Sequence, residues 1–233
     1  MDRQLQLVVD ELSKANIKLH EPYQVDGVRW MLQREMSGKK AGLLCDEPGL
    51  GKTIQTNATM IGNEVEHTLI VVPISVIGQW KDAVQLLKPE WSVLVHHGTT
   101  RAKSVEELQR HNVVVTSYSC LMKLVVKRAN GMTSKTMMPT VLHNMNWGRV
   151  ILDECHEIRN ASSQRCKFAT MTRAPIRWGL TGTPVQNRMD DIVTLFKYMK
   201  FDPVNLKKRM DGLKDEYVLR RTKEDVCEYN PAL

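Results

Sequence analysis

No apolar run in this 233-residue chain approaches the roughly 18 residues that a membrane-spanning helix needs. A membrane partner is therefore not expected. Cysteine is sparse and poorly spaced for bonding. The five cysteines, Cys45, Cys120, Cys155, Cys166 and Cys227, include no C-x-x-C pair, and their number is odd. That argues against a disulfide framework or a zinc site and for a reducing compartment. The opening MDRQLQLVVDELSK mixes charge into its apolar positions, which does not fit a secretory leader and reads as a short amphipathic helix over residues 1–18. Internal repeats and low-complexity linkers are also missing. What remains is ordinary for a globular protein, with 42% apolar and 25% charged residues. The length suits one large domain, or at most two small ones, with a sizeable core. A net charge of +7, from 33 basic and 26 acidic residues, is compatible with a polyanionic partner without requiring one.

Short apolar runs alternate with helical patterns. AGLLC (41–45), TLIVV (68–72), SVLVHH (92–97), NVVVTSY (112–118), RVILDE (149–154) and IRWGLTG (176–182) read as strands buried on both faces. Between them, KTIQTNATMIG, SVIGQWKDAVQLL, AKSVEELQRH, SSQRCKFATMT and MDDIVTLFKYMK read as helices. The alternation predicts an α/β fold, a mostly parallel sheet with helices on both faces. The stretch 123–147 is basic, methionine-rich and broken by Gly131 and Pro139. It reads as an irregular surface insertion.

Three stretches carry chemistry. The first, CDEPGLGKT (45–53), follows a strand and opens a helix, the context of a phosphate-binding loop. Yet the usual pattern wants glycine where Asp46 stands, and Pro48 lies inside it. Gly49 and Gly51 would allow positive φ and close backbone approach. The amides from Gly49 through Leu50 and Gly51 to Thr53 would face a β-phosphate. Lys52 would neutralise phosphate charge and the Thr53 hydroxyl would ligate Mg2+. The second, RVILDECHEIRN, ends a buried strand in two carboxylates, at the sheet edge where open α/β folds bind ligands. Asp153 would hold the metal, Glu154 would act as general base, and His156 would couple the site to another element. The third, GLTGTPVQN (179–187), offers Thr181, Gly182 and Thr183 at another strand end. Its small hydroxylated residues could bond across to Asp153 and His156. Each stretch alone also fits a plain turn; together the first two supply the protein ligands of NTP chemistry.

The ordered segments YQVDGVRWM, DEPGLGKT, TLIVVPISVIGQW, VHHG, VVVTSY, ILDECHEIRN, LTGTPVQN and YVLRRTKEDV resemble those of the Swi/Snf-type ATPases of helicase superfamily two. The resemblance runs from about residue 19 to 226. Its ILDE-x-H-x-IRN and HHG forms look closest to the branch of the helicase-like transcription factor and the post-replication-repair translocases. It implies a RecA-like P-loop NTPase lobe over 19–216 and a bridge towards a second lobe over 217–233. It makes Asp46 a family feature of the loop and Gln24 an adenine-reading side chain, with Tyr23 near the base. Pro73 to Ser75 match one DNA-backbone segment, and Thr116 and Ser117 another. Trp80 reads as core, His97 and Gly98 as a turn, and Cys155 as a small packing residue. ATP and Mg2+ are the implied cofactors. Double-stranded DNA, a second RecA-like lobe and a DNA-bound protein are the implied partners, inside the cell wherever that DNA lies. In such enzymes ATP sits between two lobes, and arginines of the second stabilise the transferring phosphoryl group. The resemblance covers one lobe, so this chain alone is expected to bind nucleotide weakly and turn it over barely. A single-lobe nucleotide- or DNA-binding regulator is the alternative. A P-loop kinase or GTPase fits poorly, since no N-K-x-D stretch is present.

Overall fold

The computed structural model describes residues 2–129, 132–182, 189–204 and 206–229. Thr183 lies outside them. The chain runs α1 (Asp2–Lys14), α2 (Tyr23–Met36), β1 (Ala41–Leu44), α3 (Lys52–Gly62), β2 (Thr68–Val72), α4 (Ile77–Leu87), β3 (Val93–His96), α5 (Val105–Leu108) and β4 (Val113–Ser117). It continues through β5 (Met122–Ala129), β6 (Met132–Pro139), β7 (Arg149–Leu152), α6 (Gln164–Met171), β8 (Ile176–Leu180), α7 (Met189–Tyr198), α8 (Met210–Tyr217), β9 (Val218–Leu219) and α9 (Lys223–Tyr229). Seven strands form one sheet in the order β3-β4-β2-β7-β8-β1-β9, and every adjacent pair is parallel. This is the mostly parallel α/β sheet the alternation predicts, and it fits the RecA-like lobe the resemblance implies.

The uninterrupted apolar strands follow from burial on both faces. Alternate residues go to opposite sides. Leu69 and Val71 of β2 join Val150 and Leu152 of β7 on the face covered by Phe168, Leu195 and Phe196. Ile70, Val72 and Ile151 point the other way, against Met31, Met60, Trp80 and Val84. Outside that second layer, Val8 and Leu12 of α1 pack on Val28, Leu32, Ala58 and Ile61. The amphipathic reading of the N-terminal segment is thus realised as a helix seated on α2 and α3. No described helix is long and apolar enough to cross a membrane.

Three expectations change. The supposed irregular stretch at 123–147 contains an antiparallel hairpin, with β5 and β6 paired from Met122 with Pro139 to Ala129 with Met132. Exposed Lys123, Leu124, Val126 and Lys127 face no core, so no alternation of apolar and polar marked its strands. The helix over AKSVEELQRH shrinks to α5, whose first turn is capped by Ser104 accepting from Glu107 N. The bridge at 217–233 begins inside the lobe, because β9 pairs with β1 through Leu43–Val218 and Leu44–Leu219. Because all sheet pairs are parallel, the carboxyl ends of β1, β2, β4, β7 and β8 share one edge, where ligands bind in open α/β sheets.

Candidate nucleotide site

The glycine loop leaves β1 at that edge and turns into α3. Gly49 and Gly51 have φ of 96° and 79°, the left-handed region that favours glycine. A Cβ on Gly51 would stand 2.4 Å from Gln24 Nε2, so side chain and backbone close on each other here. Gly51 delivers the chain directly into α3, whose first amides lack intrahelical acceptors and carry the positive end of the helix dipole. Lys52 and Thr53 occupy its first two positions. Lys52 Nζ curls back to donate to Asp46 O at 2.7 Å and Glu47 O at 3.4 Å.

Asp46 does not face a phosphate. It is fully buried. Its carboxylate accepts from Gln55 Nε2 at 3.1 Å and from Arg221 Nε at 2.9 Å, with a second bond from Arg221 Nη2. The residue that breaks the glycine pattern therefore anchors the loop from below. Pro48 stands exposed at the loop's mouth. A Cβ on Gly182 would come within 2.7 Å of Pro48 Cγ and 3.2 Å of Lys52 Nζ. Glycine at 182 is what lets the end of β8 lie against the loop.

Gln24, in the first turn of α2, is buried. Its Oε1 accepts from His20 N at 2.9 Å, and its Nε2 donates to Leu50 O and Tyr23 Oη at 3.3 Å. Leu50 itself packs with Tyr23 and Val226. The amide that would read a base is thereby tied to the loop that would hold its phosphates.

Just past β7, Asp153 and Glu154 diverge. Trp80 Nε1 donates to Asp153 Oδ2 at 2.7 Å and Glu154 N to Oδ1 at 3.0 Å. Tyr118 Oη donates to the Asp153 carbonyl at 2.7 Å. Burial raises the Asp153 pKa above the ordinary carboxylate value, against the Trp80 bond and the Lys52 charge, which lower it. Glu154 is left-handed, with φ 49°, a rare conformation for a residue with a Cβ. That turn sends its carboxylate to the neighbouring motif. Glu154 Oε2 lies 3.1 Å from His156 Nδ1 and accepts from Thr181 Oγ1 at 3.4 Å, while His156 Nδ1 and Thr181 Oγ1 are 3.2 Å apart. Glycine loop, acidic strand end and Thr181–Gly182 thus converge. Cys155 is fully buried, and burial holds its thiol well above its ordinary pKa, in keeping with packing rather than reactivity.

The expected DNA segments divide. Ile74 and Ser75 are exposed beyond half-buried Pro73 at the end of β2. Thr116 and Ser117 are buried. The Thr116 hydroxyl donates to His96 O at 2.8 Å, and that of Ser117 bonds Ser119 Oγ at 2.9 Å and Cys120 Sγ at 3.3 Å. Both sit on β4 between β2 and β3, so their hydroxyls satisfy the interior; the exposed hydroxyl of the segment is Ser119. Beside it, a cleft of about 580 Å³ is lined by Thr99, Arg101, Lys103, Lys123 and Thr140. Trp80 is core, as expected, yet its indole N–H also holds Asp153. Arg221, Tyr118 and Gln55 were not singled out, because no local pattern shows that a guanidinium will fold back onto a loop 175 residues earlier.

The family model described as the SNF2-related domain matches residues 23–211. The ATP-dependent helicase rhp16 of Schizosaccharomyces pombe is 34% identical over 187 residues, covering 78% of this chain and 22% of the relative. The mouse DNA excision repair protein ERCC-6-like is 32% identical over 191 residues, covering 78% and 14%. Among solved structures, the Sulfolobus solfataricus SWI2/SNF2 ATPase core in complex with dsDNA superposes with a TM-score of 0.74 at 25% identity, over 92% of this chain and 46% of that one. The chain thus spans about a fifth of rhp16 and less than half of the Sulfolobus core. With a glycine loop, acidic strand end and threonine turn on one edge of a parallel sheet, and with that match, the chain belongs to the SNF2-related domain family.

Proposed function

We propose that this chain is the ATP-binding lobe of a DNA-dependent ATPase that moves along or remodels duplex DNA together with a second RecA-like lobe. The observation that carries the reading is the convergence of Lys52, Asp153, Glu154, His156 and Thr181 at one sheet edge. The residues fit a Mg2+-nucleotide. Glycines at positive φ leave room for phosphate, the Thr53 hydroxyl sits in the first turn of α3, and the Asp153 carboxylate is held by Trp80. When bound, Mg2+ would supply positive charge that offsets the charge developing on the phosphoryl group. Lys52 releases Asp46 O and Glu47 O to meet the β- and γ-phosphates. Asp153 and Thr53 would hold the ion. Glu154 takes a proton from the attacking water, and His156 and Thr181 orient its carboxylate. Gln24 exchanges its bonds to His20 N and Leu50 O for the donor and acceptor of an adenine edge.

Duplex DNA is supported by exposed Ile74 and Ser75 of the Pro73–Ser75 turn, by Ser119, and by the cleft whose Arg101, Lys103 and Lys123 have no carboxylate in the lining. Such contacts grip phosphates and do not read bases. The dsDNA in the Sulfolobus complex and the helicase name of rhp16 agree with this reading. The motor would work wherever its duplex lies, the nucleus in a cellular host, on a DNA-bound protein.

Turnover is the test. A lobe without the arginine of its partner lobe loses on the order of 10³ to 10⁵ in rate. Residues 1–233 should therefore hydrolyse ATP barely, and a chain continued through a second lobe should show DNA-stimulated turnover that Glu154→Gln abolishes while ATP binding persists. Equal turnover with and without the second lobe, or unchanged turnover in Glu154→Gln, would contradict the proposal.

A further inference from the structure

The segment after α8 is stitched to the glycine loop by backbone and side chain together. Cys45 N donates to Leu219 O at 2.7 Å and Glu47 N to Arg221 O at 3.0 Å, so the loop's first residues extend the β1–β9 pairing. Lys223 N donates to Glu47 Oε2 at 2.7 Å. The Lys223 stem lies over the loop, its Cε 3.6 Å from where a Cβ on Gly49 would stand. Beneath this layer runs the Arg221 side chain. It bonds both oxygens of Asp46, Gln55 Oε1 at 2.8 Å, and the Tyr23 carbonyl. One guanidinium thereby joins the bridge, the phosphate loop, α3 and the start of α2. There is no slack around it. A Cβ on Gly27 would stand 2.8 Å from Arg221 Nη2 and 1.8 Å from Gln55 Oε1.

We propose that Arg221 is a positioning residue that couples nucleotide occupancy to docking of the 218–226 bridge, an inference that rests on the nucleotide-site reading above. Arg221 contacts no nucleotide position itself. It acts through the Asp46 carboxylate, which fixes the glycine loop from which Lys52 and α3 start, and through the Tyr23 carbonyl, which fixes the turn of α2 that carries Gln24. When the bridge lifts, Asp46 becomes a buried carboxylate without its arginine, and the loop loses the anchor that sets Lys52. Conversely, a ligand that fixes Lys52 and Gln24 favours the docked bridge. The two effects must be equal in free energy, because coupling between binding equilibria is reciprocal. Arginine suits the task because its planar fork bonds a carboxylate at two points while a third nitrogen is left for Tyr23 O; an ammonium has no such fork. A bridge continuing into a second lobe would pass that lobe's movement to the phosphate loop along this path.

The test is hydrogen–deuterium exchange of 218–226 in the purified 233-residue chain, with and without Mg·ADP, together with binding of N-methylanthraniloyl-ADP. In the unsubstituted chain, Mg·ADP should slow exchange at 218–226. Arg221→Gln should weaken binding on the order of tenfold and abolish the slowing, and Arg221→Lys should not restore it. A purely structural arginine would lower the melting temperature and leave the nucleotide-dependent slowing intact; that result overturns the proposal. So does nucleotide binding by the unsubstituted chain with no change at 218–226, a measurement that decides the matter even where Arg221→Gln does not fold. Failure of the unsubstituted chain to bind the nucleotide at all would overturn the nucleotide-site reading and the coupling with it.

Discussion

His96, at the carboxyl end of β3, is buried, and its Nδ1 accepts the Ala102 amide at 3.1 Å. Burial lowers its pKa to about 4, helped by the Arg101 and His97 charges. A depressed histidine is neutral in the fold and charges more readily when unfolded. Its stabilising contribution is therefore full above the ordinary value of 6.5 and is lost as pH falls through the folded value of about 4. The linked loss amounts to about 3 kcal/mol. The melting temperature should drop between pH 7 and pH 4.5 more steeply in the unsubstituted chain than in His96→Gln, whose amide oxygen can still accept the Ala102 N–H. Parallel curves would contradict this. At Trp80, removing one N–H leaves a buried carboxylate oxygen without its donor. Trp80→Phe should cost about 1–3 kcal/mol in urea unfolding. Single residues were legible where chemistry is local to a motif. Lys52, Thr53 and Asp153 stand at a helix start and a strand end, which sequence reveals. The partners that set them, Trp80 and Arg221, arrive from 73 and 175 residues away, and only packing brings them in. For the same reason Thr116 looked available as a hydroxyl, although the His96 carbonyl of neighbouring β3 takes it.

Elements differ in what they contribute. α1 lies at the periphery, yet Val8 and Leu12 are fully covered by α2 and α3. Leu12→Ala should therefore destabilise by about 2–4 kcal/mol, read as a lower urea midpoint. Beneath α2, Glu35 is ringed by Arg149 Nε, Trp178 Nε1 and Asn63 Nδ2, each at 2.7 Å. It ties α2 to β7, β8 and the end of α3 at the edge opposite the site. Glu35→Ala would strand a buried guanidinium and cost about 3–5 kcal/mol, a large part of the roughly 5–15 kcal/mol available to a domain. The β5–β6 hairpin lies at the other extreme. Leu124 is 56% exposed, so Leu124→Ser should change stability by less than about 0.5 kcal/mol. A loss of about 2 kcal/mol or more would mean that Leu124, like Met122 and Met137 of the same hairpin, packs against the lobe. Six of the seven sheet strands were legible as apolar runs; five of them are buried on both faces, and β3, at the sheet edge, is only half-buried. β9 was not, being two residues long, and the hairpin was not, because neither of its strands alternates apolar with polar.

At the scale of the molecule, a parallel sheet gathers five strand ends on one edge, and the SNF2-related motifs are the residues that stand there. The features of that edge bring backbone and side chain close together: Gly51 against the Gln24 amide, Gly182 against Pro48 and Lys52, and a left-handed Glu154 whose carboxylate turns towards Thr181. On the proposed reading, this edge grips a nucleotide from one side. The most direct measurement of that claim is an equilibrium titration of the 233-residue chain with Mg·ATP, set beside Lys52→Ala and beside Mg·GTP. The account predicts saturable binding at one site, loss of that binding in Lys52→Ala with the fold intact by circular dichroism, and weaker binding of GTP than of ATP. An unsubstituted chain that ignores ATP, or a Lys52→Ala chain that binds it equally well, would contradict it.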